Sequence, residues 1–141
     1  MTDRTDRTFP RRDANRRIVD IRDLLAMTLA GVVAGVVALL LFDGLFALLG
    51  MGTFGRVNGW LAVILPTMLL VEDFRAWRGV GVRVLVAVVG AVVAIAAGLL
   101  ASGLANGLPG LVSGALGAAV FTVVYVVIWF YGVRALAGRD G

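Results

Sequence analysis

VLVAVVGAVVAIAAGLLASGL, residues Val84–Leu104, carries no charge and one hydroxyl. About 20 apolar residues, each rising about 1.5 Å in a helix, match a hydrocarbon core about 30 Å thick. A buried helix of a water-soluble domain seldom stays this apolar for so long. Small residues recur along it at helical spacing, Gly90, Ala94, Gly98 and Ala101, and such faces let helix backbones approach closely in lipid. The stretch is expected to span a membrane, and the neighbouring apolar runs are measured against it.

After the uncharged turn Asn106–Gly110 comes Leu111–Tyr131, with Gly110, Gly114, Gly117 and Ala118 on its first half. The two runs thus present small residues to one another, as a close antiparallel hairpin requires. Tyr125, Trp129, Phe130 and Tyr131 gather at the far end, where an interfacial aromatic belt is expected.

Upstream, Arg83 lies one turn inside the apolar region and is expected to snorkel back toward Glu72 and Asp73. The uncharged core Trp60–Val71 is short, but Trp60 and Trp77 are separated by about 25 Å on a helix, the spacing of two interfacial belts. Asn58–Trp77 therefore reads as another span, with an i, i+3 pair between Glu72 and Arg75. Pro66 is expected to kink it, with Thr67 re-satisfying the freed backbone. The first apolar run, Leu24–Phe42, meets Asp43 and Gly44 and continues to Leu49; its Gly31 and Gly35 form a G-x-x-x-G packing face.

The expectation is an all-α integral membrane protein, a four-helix bundle with spans at about 24–49, 58–77, 80–104 and 111–133. A polar tail precedes it over 1–23, and a short C-terminus follows the 24–136 membrane domain over 137–141. The tail holds seven arginines, the 58–77/80–104 connection three (Arg75, Arg78, Arg83) and the C-terminal end two; the remaining turns hold only Arg56. By the positive-inside rule both termini are cytoplasmic, in the cell membrane. The tail reads as a solvated, topology-setting segment, with a short interfacial helix carrying Ile18, Ile21 and Leu25 as the other reading. The long, partly acidic lead argues against a cleavable signal peptide. Val32–Ala38 resembles Val88–Ala94 at the offset that also places Arg22 on Arg78, which suggests two like-oriented hairpins.

Composition removes whole classes of function. The 13 basic residues are all arginine, and there is no Cys and no His. Disulfides, thiol redox relays, thiolate metal sites, haem and zinc ligation by His, and a near-neutral imidazole shuttle are all excluded. No cofactor or metal is expected. The sequence pI near 11 does not call for nucleic acid, because the arginines sit at span ends where topology already accounts for them. Glu72 and Asp73 point about 100° apart on a helix and have no nucleophile or ligand partner at motif spacing. No phosphate-binding loop, nucleophile elbow or zinc motif is present, so no catalysis is expected.

Asp43 is the acid away from the other charges. It either ends the first span and pairs with Arg56, or lies two turns inside a longer helix as an ion or proton site. Glu72, Asp73, Arg75, Arg78 and Arg83 form a candidate cytoplasmic contact network, or a self-neutralising set that fixes topology. Gly31, Gly35, Gly90, Gly98, Gly110, Gly114 and Gly117 are the candidate helix-packing positions. The four-span layout is similar to that of small multidrug exporters and fluoride channels, but their motifs are missing: the exporters' acid is a glutamate well inside the first span, unlike Asp43.

The expected function is that of an accessory or assembly subunit, with the lipid bilayer and itself or another membrane protein as partners. A homo-oligomeric transporter coupled through Asp43 is the alternative, and it requires Thr28, Thr67, Ser102, Ser113 and Thr122 to share one lumen. A holin-like pore former is the third.

Overall fold

The computed structural model describes residues 9–77 and 80–137. Of these, 78% are helical, and the only β feature among them is an isolated antiparallel bridge between Arg12 and Ile18. Helix α1 spans Ile21–Leu48, a 3-10 turn covers Gly59–Val63, and α2 spans Ile64–Ala76. Helix α3 spans Val80–Leu104 and α4 spans Gly110–Ala137. Helices α1, α3 and α4 are long and apolar enough to cross a membrane.

The helix boundaries follow from local chemistry. Asp20 caps α1, accepting the Arg22 N–H at 2.9 Å. At its other end Gly50 adopts φ +73°. There the Gly50 N–H reaches the Ala47 carbonyl and the Met51 N–H the Phe46 carbonyl, the paired bonds of a glycine-terminated helix. Asn58 caps the 3-10 turn through the Trp60 N–H. Pro66 falls in the first turn of α2, where a missing N–H costs least.

The second expected span, 58–77, is the part that differs. Helix α2 has 13 residues and rises only about 20 Å, and it carries Glu72, Asp73 and Arg75. By itself it is neither long nor apolar enough to cross a membrane. The Pro66 junction sets the change from 3-10 to α geometry, and Thr67 Oγ1 donates to the Val63 carbonyl at 2.7 Å. The two hairpins are consequently unequal in length.

Helix α4 is the centre of the bundle. It packs along α3 and against α1 and the 3-10 turn, while α1 packs on α2 and the same turn. Helices α2 and α3 scarcely touch, and a cleft remains between them. Close approaches occur at glycines. A Cβ on Gly31 would stand 3.2 Å from the Pro66 nitrogen, and one on Gly35 would stand 3.0 Å from the Ala62 Cα. The G-x-x-x-G face of α1 is thus occupied by the 3-10 turn and α2 of the same chain. A Cβ on Gly114 would lie 2.7 Å from Asn58 Oδ1 and from two backbone nitrogens, while Gly98 and Gly117 flank the Trp60 ring. Gly90 faces Tyr125 and Ile128. Gly110 has nothing within 4 Å, so it is not a packing position: it opens α4 at the edge of the bundle.

Candidate functional site

The described part of the polar tail is exposed at most positions but is anchored at Ile18. It turns back on itself and docks across the end of the bundle where α2 and α4 finish. Asp13 Oδ1 accepts the N–H groups of Asn15 and Arg17, each at 2.9 Å, and Arg16 takes φ 64° to close the turn. Arg11 then clamps the returning arm, with Nη2 2.7 Å from Asp20 and Nε 3.3 Å from Asp23. Ile18 is the anchor, at 0% exposure. It sits among Leu24, Leu70, Trp77, Trp129 and Val133, and burying one such side chain contributes about 1.5–3 kcal/mol.

Asp73 is the hub beneath this strap. The carboxylate is 1% exposed and reaches neither Arg75 nor Arg83. One oxygen accepts the Ile18 N–H at 3.3 Å and the other accepts Trp129 Nε1 at 2.7 Å. The Ile18 carbonyl in turn accepts from Arg134 Nη2. Three segments, the tail, α2 and α4, are therefore tied through one buried acid and one backbone unit.

Trp77 is covered by cations. Arg17 lies 4.1 Å and Arg134 5.1 Å from its ring, and Arg134 is 3.5 Å from the Phe130 ring. Arg83 donates Nη1 to the Trp77 carbonyl at 3.1 Å and stacks over Phe74 at 4.7 Å. Its expected pairing with Glu72 and Asp73 is not made. Among the described residues the ion pairs are those of Arg11, so the expected Glu72–Arg75 pair is absent too. Glu72 and Arg75 are exposed and border an open groove with Arg12 and Arg16. Arg78 lies outside the described residues.

The aromatic belt is largely a core. Trp129 and Phe130 are buried, and only Tyr131 is exposed, at 57%. Phe121, Tyr125 and Trp129 stack at successive turns of α4, extended by Trp60 at one end and Phe74 at the other. Trp60 is a wedge between α3 and α4. Its Nε1 donates to Ser102 Oγ at 2.9 Å, and that hydroxyl donates to the Ser113 carbonyl at 3.0 Å. Beside this row, Leu70 and Phe74 of α2, Ala87 and Ala91 of α3, and Phe121 and Tyr125 of α4 line the α2/α3 cleft, about 330 Å³ in volume.

At the opposite end Asp43 lies within α1, just over one turn before its end, and is 5% exposed. Its carboxylate accepts the Gly55 N–H and makes no ion pair with Arg56. Both residues border an open groove of about 440 Å³. The span hydroxyls do not converge. Thr28 donates to Leu24, Thr67 to Val63 and Thr122 to Ala118, each one turn back in its own helix, while Ser102 serves Trp60 and Ser113. Among the described residues no three potential metal-ligating side chains cluster.

Set against protein-family models, curated proteins and solved structures, the chain matches none of them.

Proposed function

We propose that the chain is a non-catalytic multi-pass protein of the cytoplasmic membrane, acting as an accessory or assembly subunit of a larger membrane assembly. The observation that carries this reading is the division of labour among its surfaces. Polar groups of the spans are consumed locally, each hydroxyl on its own helix or around Trp60. Meanwhile α1 and α3 leave Val33, Leu41, Val92 and Leu99 more than half exposed, which suits lipid or a partner helix and leaves no wetted path. On this reading the 3-10 turn and α2, which together rise about 30 Å with the charged turn Glu72–Arg75 at the cytoplasmic interface, serve as a fourth crossing. The arginine distribution then puts both termini in the cytoplasm.

The test is extraction in mild detergent or native nanodiscs with intact-complex mass measurement. Stoichiometric recovery with a different membrane protein upholds the subunit role; recovery only as a homo-oligomer refutes it. Topology is read separately by single cysteines placed in a chain that has none. One observation favours a transporter instead: Asp43 is buried beside an open groove. Flux in liposomes that is lost in Asp43→Asn would support that reading.

A further inference from the structure

We propose that the α2/α3 cleft binds an anionic phospholipid, with one acyl chain against the aromatic row of α4 and the phosphate on Arg83. The inference rests on the membrane placement above but not on the subunit role. The cleft lining is almost wholly apolar: of its two hydroxyl-bearing residues, Thr67 is already bonded to the Val63 carbonyl, and Tyr125 stacks its ring between Phe121 and Trp129. Ala87 and Ala91 keep the α3 wall low, while Phe121 and Tyr125 supply the floor. Volume discriminates between occupants. A helix about 10 Å across would use up the 330 Å³ in about 4 Å of its length, less than one turn. A polymethylene chain, about 4–5 Å across at ordinary carbon contact distances, fits.

The charge at the mouth selects the headgroup. Arg83, Ala87 and Ala91 fall at successive i, i+4 positions, so the arginine tops the same face of α3 that walls the cleft. Its guanidinium stacks over Phe74, itself a cleft residue. Among the described residues no carboxylate lies within ion-pair distance of it; its Nη1 is held by the Trp77 carbonyl and its Nε is buried without a hydrogen-bond partner. Of the two nearby acids in sequence, Asp73 has both oxygens engaged by Ile18 and Trp129, and Glu72 is exposed. A half-buried cation without a counter-charge, at the rim of an apolar slot, matches a phosphate joined to an acyl chain.

The experiment releases the full chain from nanodiscs of mixed phosphatidylglycerol and phosphatidylcholine and weighs it intact. The wild type is expected to retain phosphatidylglycerol preferentially. Arg83→Gln lowers that preference about fivefold, whereas Ala91→Leu, which fills the slot, lowers retention of both lipids. Ala87→Leu repeats the second arm if Ala91→Leu does not yield folded protein. Equal retention of the two headgroups by the wild type, or unchanged retention in both leucine variants, overturns the site. So does a cross-link from Ala91 to a second copy or a foreign helix in place of lipid. Lipid retained without a partner protein upholds the site while removing the subunit role; a partner recovered with bound phosphatidylglycerol upholds both.

Discussion

Asp73→Asn tests the strap most directly. The substitution keeps the shape of the side chain and one acceptor oxygen, which the 2.7 Å bond from Trp129 Nε1 would retain. The amide nitrogen then faces the Ile18 N–H, and a charge-assisted bond becomes a donor–donor contact. Loss of a hydrogen bond to a charged group costs about 1.5–3 kcal/mol, and here it falls on the docking of the tail. At about 0.6 kcal/mol per RT this raises the undocked population roughly tenfold to 150-fold. Trypsin reads that population at the Arg17–Ile18 bond, because Ile18 is fully buried and Arg17 lies over Trp77. Cleavage there follows the open fraction when docking is fast relative to proteolysis. Cutting after Arg56, exposed in the loop at the opposite end of the bundle, serves as the internal reference. A ratio of the two cleavage rates that stays within about twofold of wild type, in a variant of unchanged helicity, would refute the account of Asp73 as the strap's anchor.

Gly114→Ala is expected to destabilise by about 1–3 kcal/mol, since its Cβ would meet the backbone of Gly59 and Trp60 at 2.7 Å. Gly110→Ala, with open space around it, should stay within about 0.5 kcal/mol; denaturant titration in detergent compares the two. Trp60→Phe keeps the wedge but gives up the bond to Ser102, costing about 1 kcal/mol in the same assay. Asp43→Ala frees the Gly55 N–H and should lower stability by about 1.5–3 kcal/mol. Asp43→Asn retains an acceptor and should cost less than about 1 kcal/mol; equal melting shifts for the two would remove Asp43 from any role in holding that loop.

Hydropathy made the three long helices legible, because about 20 apolar residues in a row admit few other structures. The glycines were legible as close approaches, and six of the seven positions singled out lie against a neighbour. Which neighbour was not legible: Gly31 and Gly35 face the chain's own Pro66 and Ala62, and a small-residue stripe carries no information on what fills it. The tail escaped sequence reading for a similar reason. Its docking depends on one isoleucine and on the N–H and carbonyl of that residue, bonded to Asp73 and Arg134 far along the chain. Backbone bonds of this kind have no residue signature or periodicity. Asp73 looked like one more charge in a polar run, although its neighbour Glu72, a helix step of about 100° away, is exposed. A pair of adjacent acids of which one is buried can be told apart only once the helix has a packing partner. The burial of Trp129 and Phe130 was not legible because an interfacial belt and a buried row share the same composition at a span end.

The strap joins the segment before α1 to α4, since Ile18 is held by Arg134. Ribosomal synthesis delivers these partners in the wrong order for early closure. The tail must therefore wait, uncovered, until α4 has been made and inserted, as contacts of high sequence separation form late. A product truncated before α4 would leave the Arg16–Arg17 dipeptide permanently open to proteases. Protection of the docked hairpin from proteases would therefore report that α2 and α4 have come together beneath it.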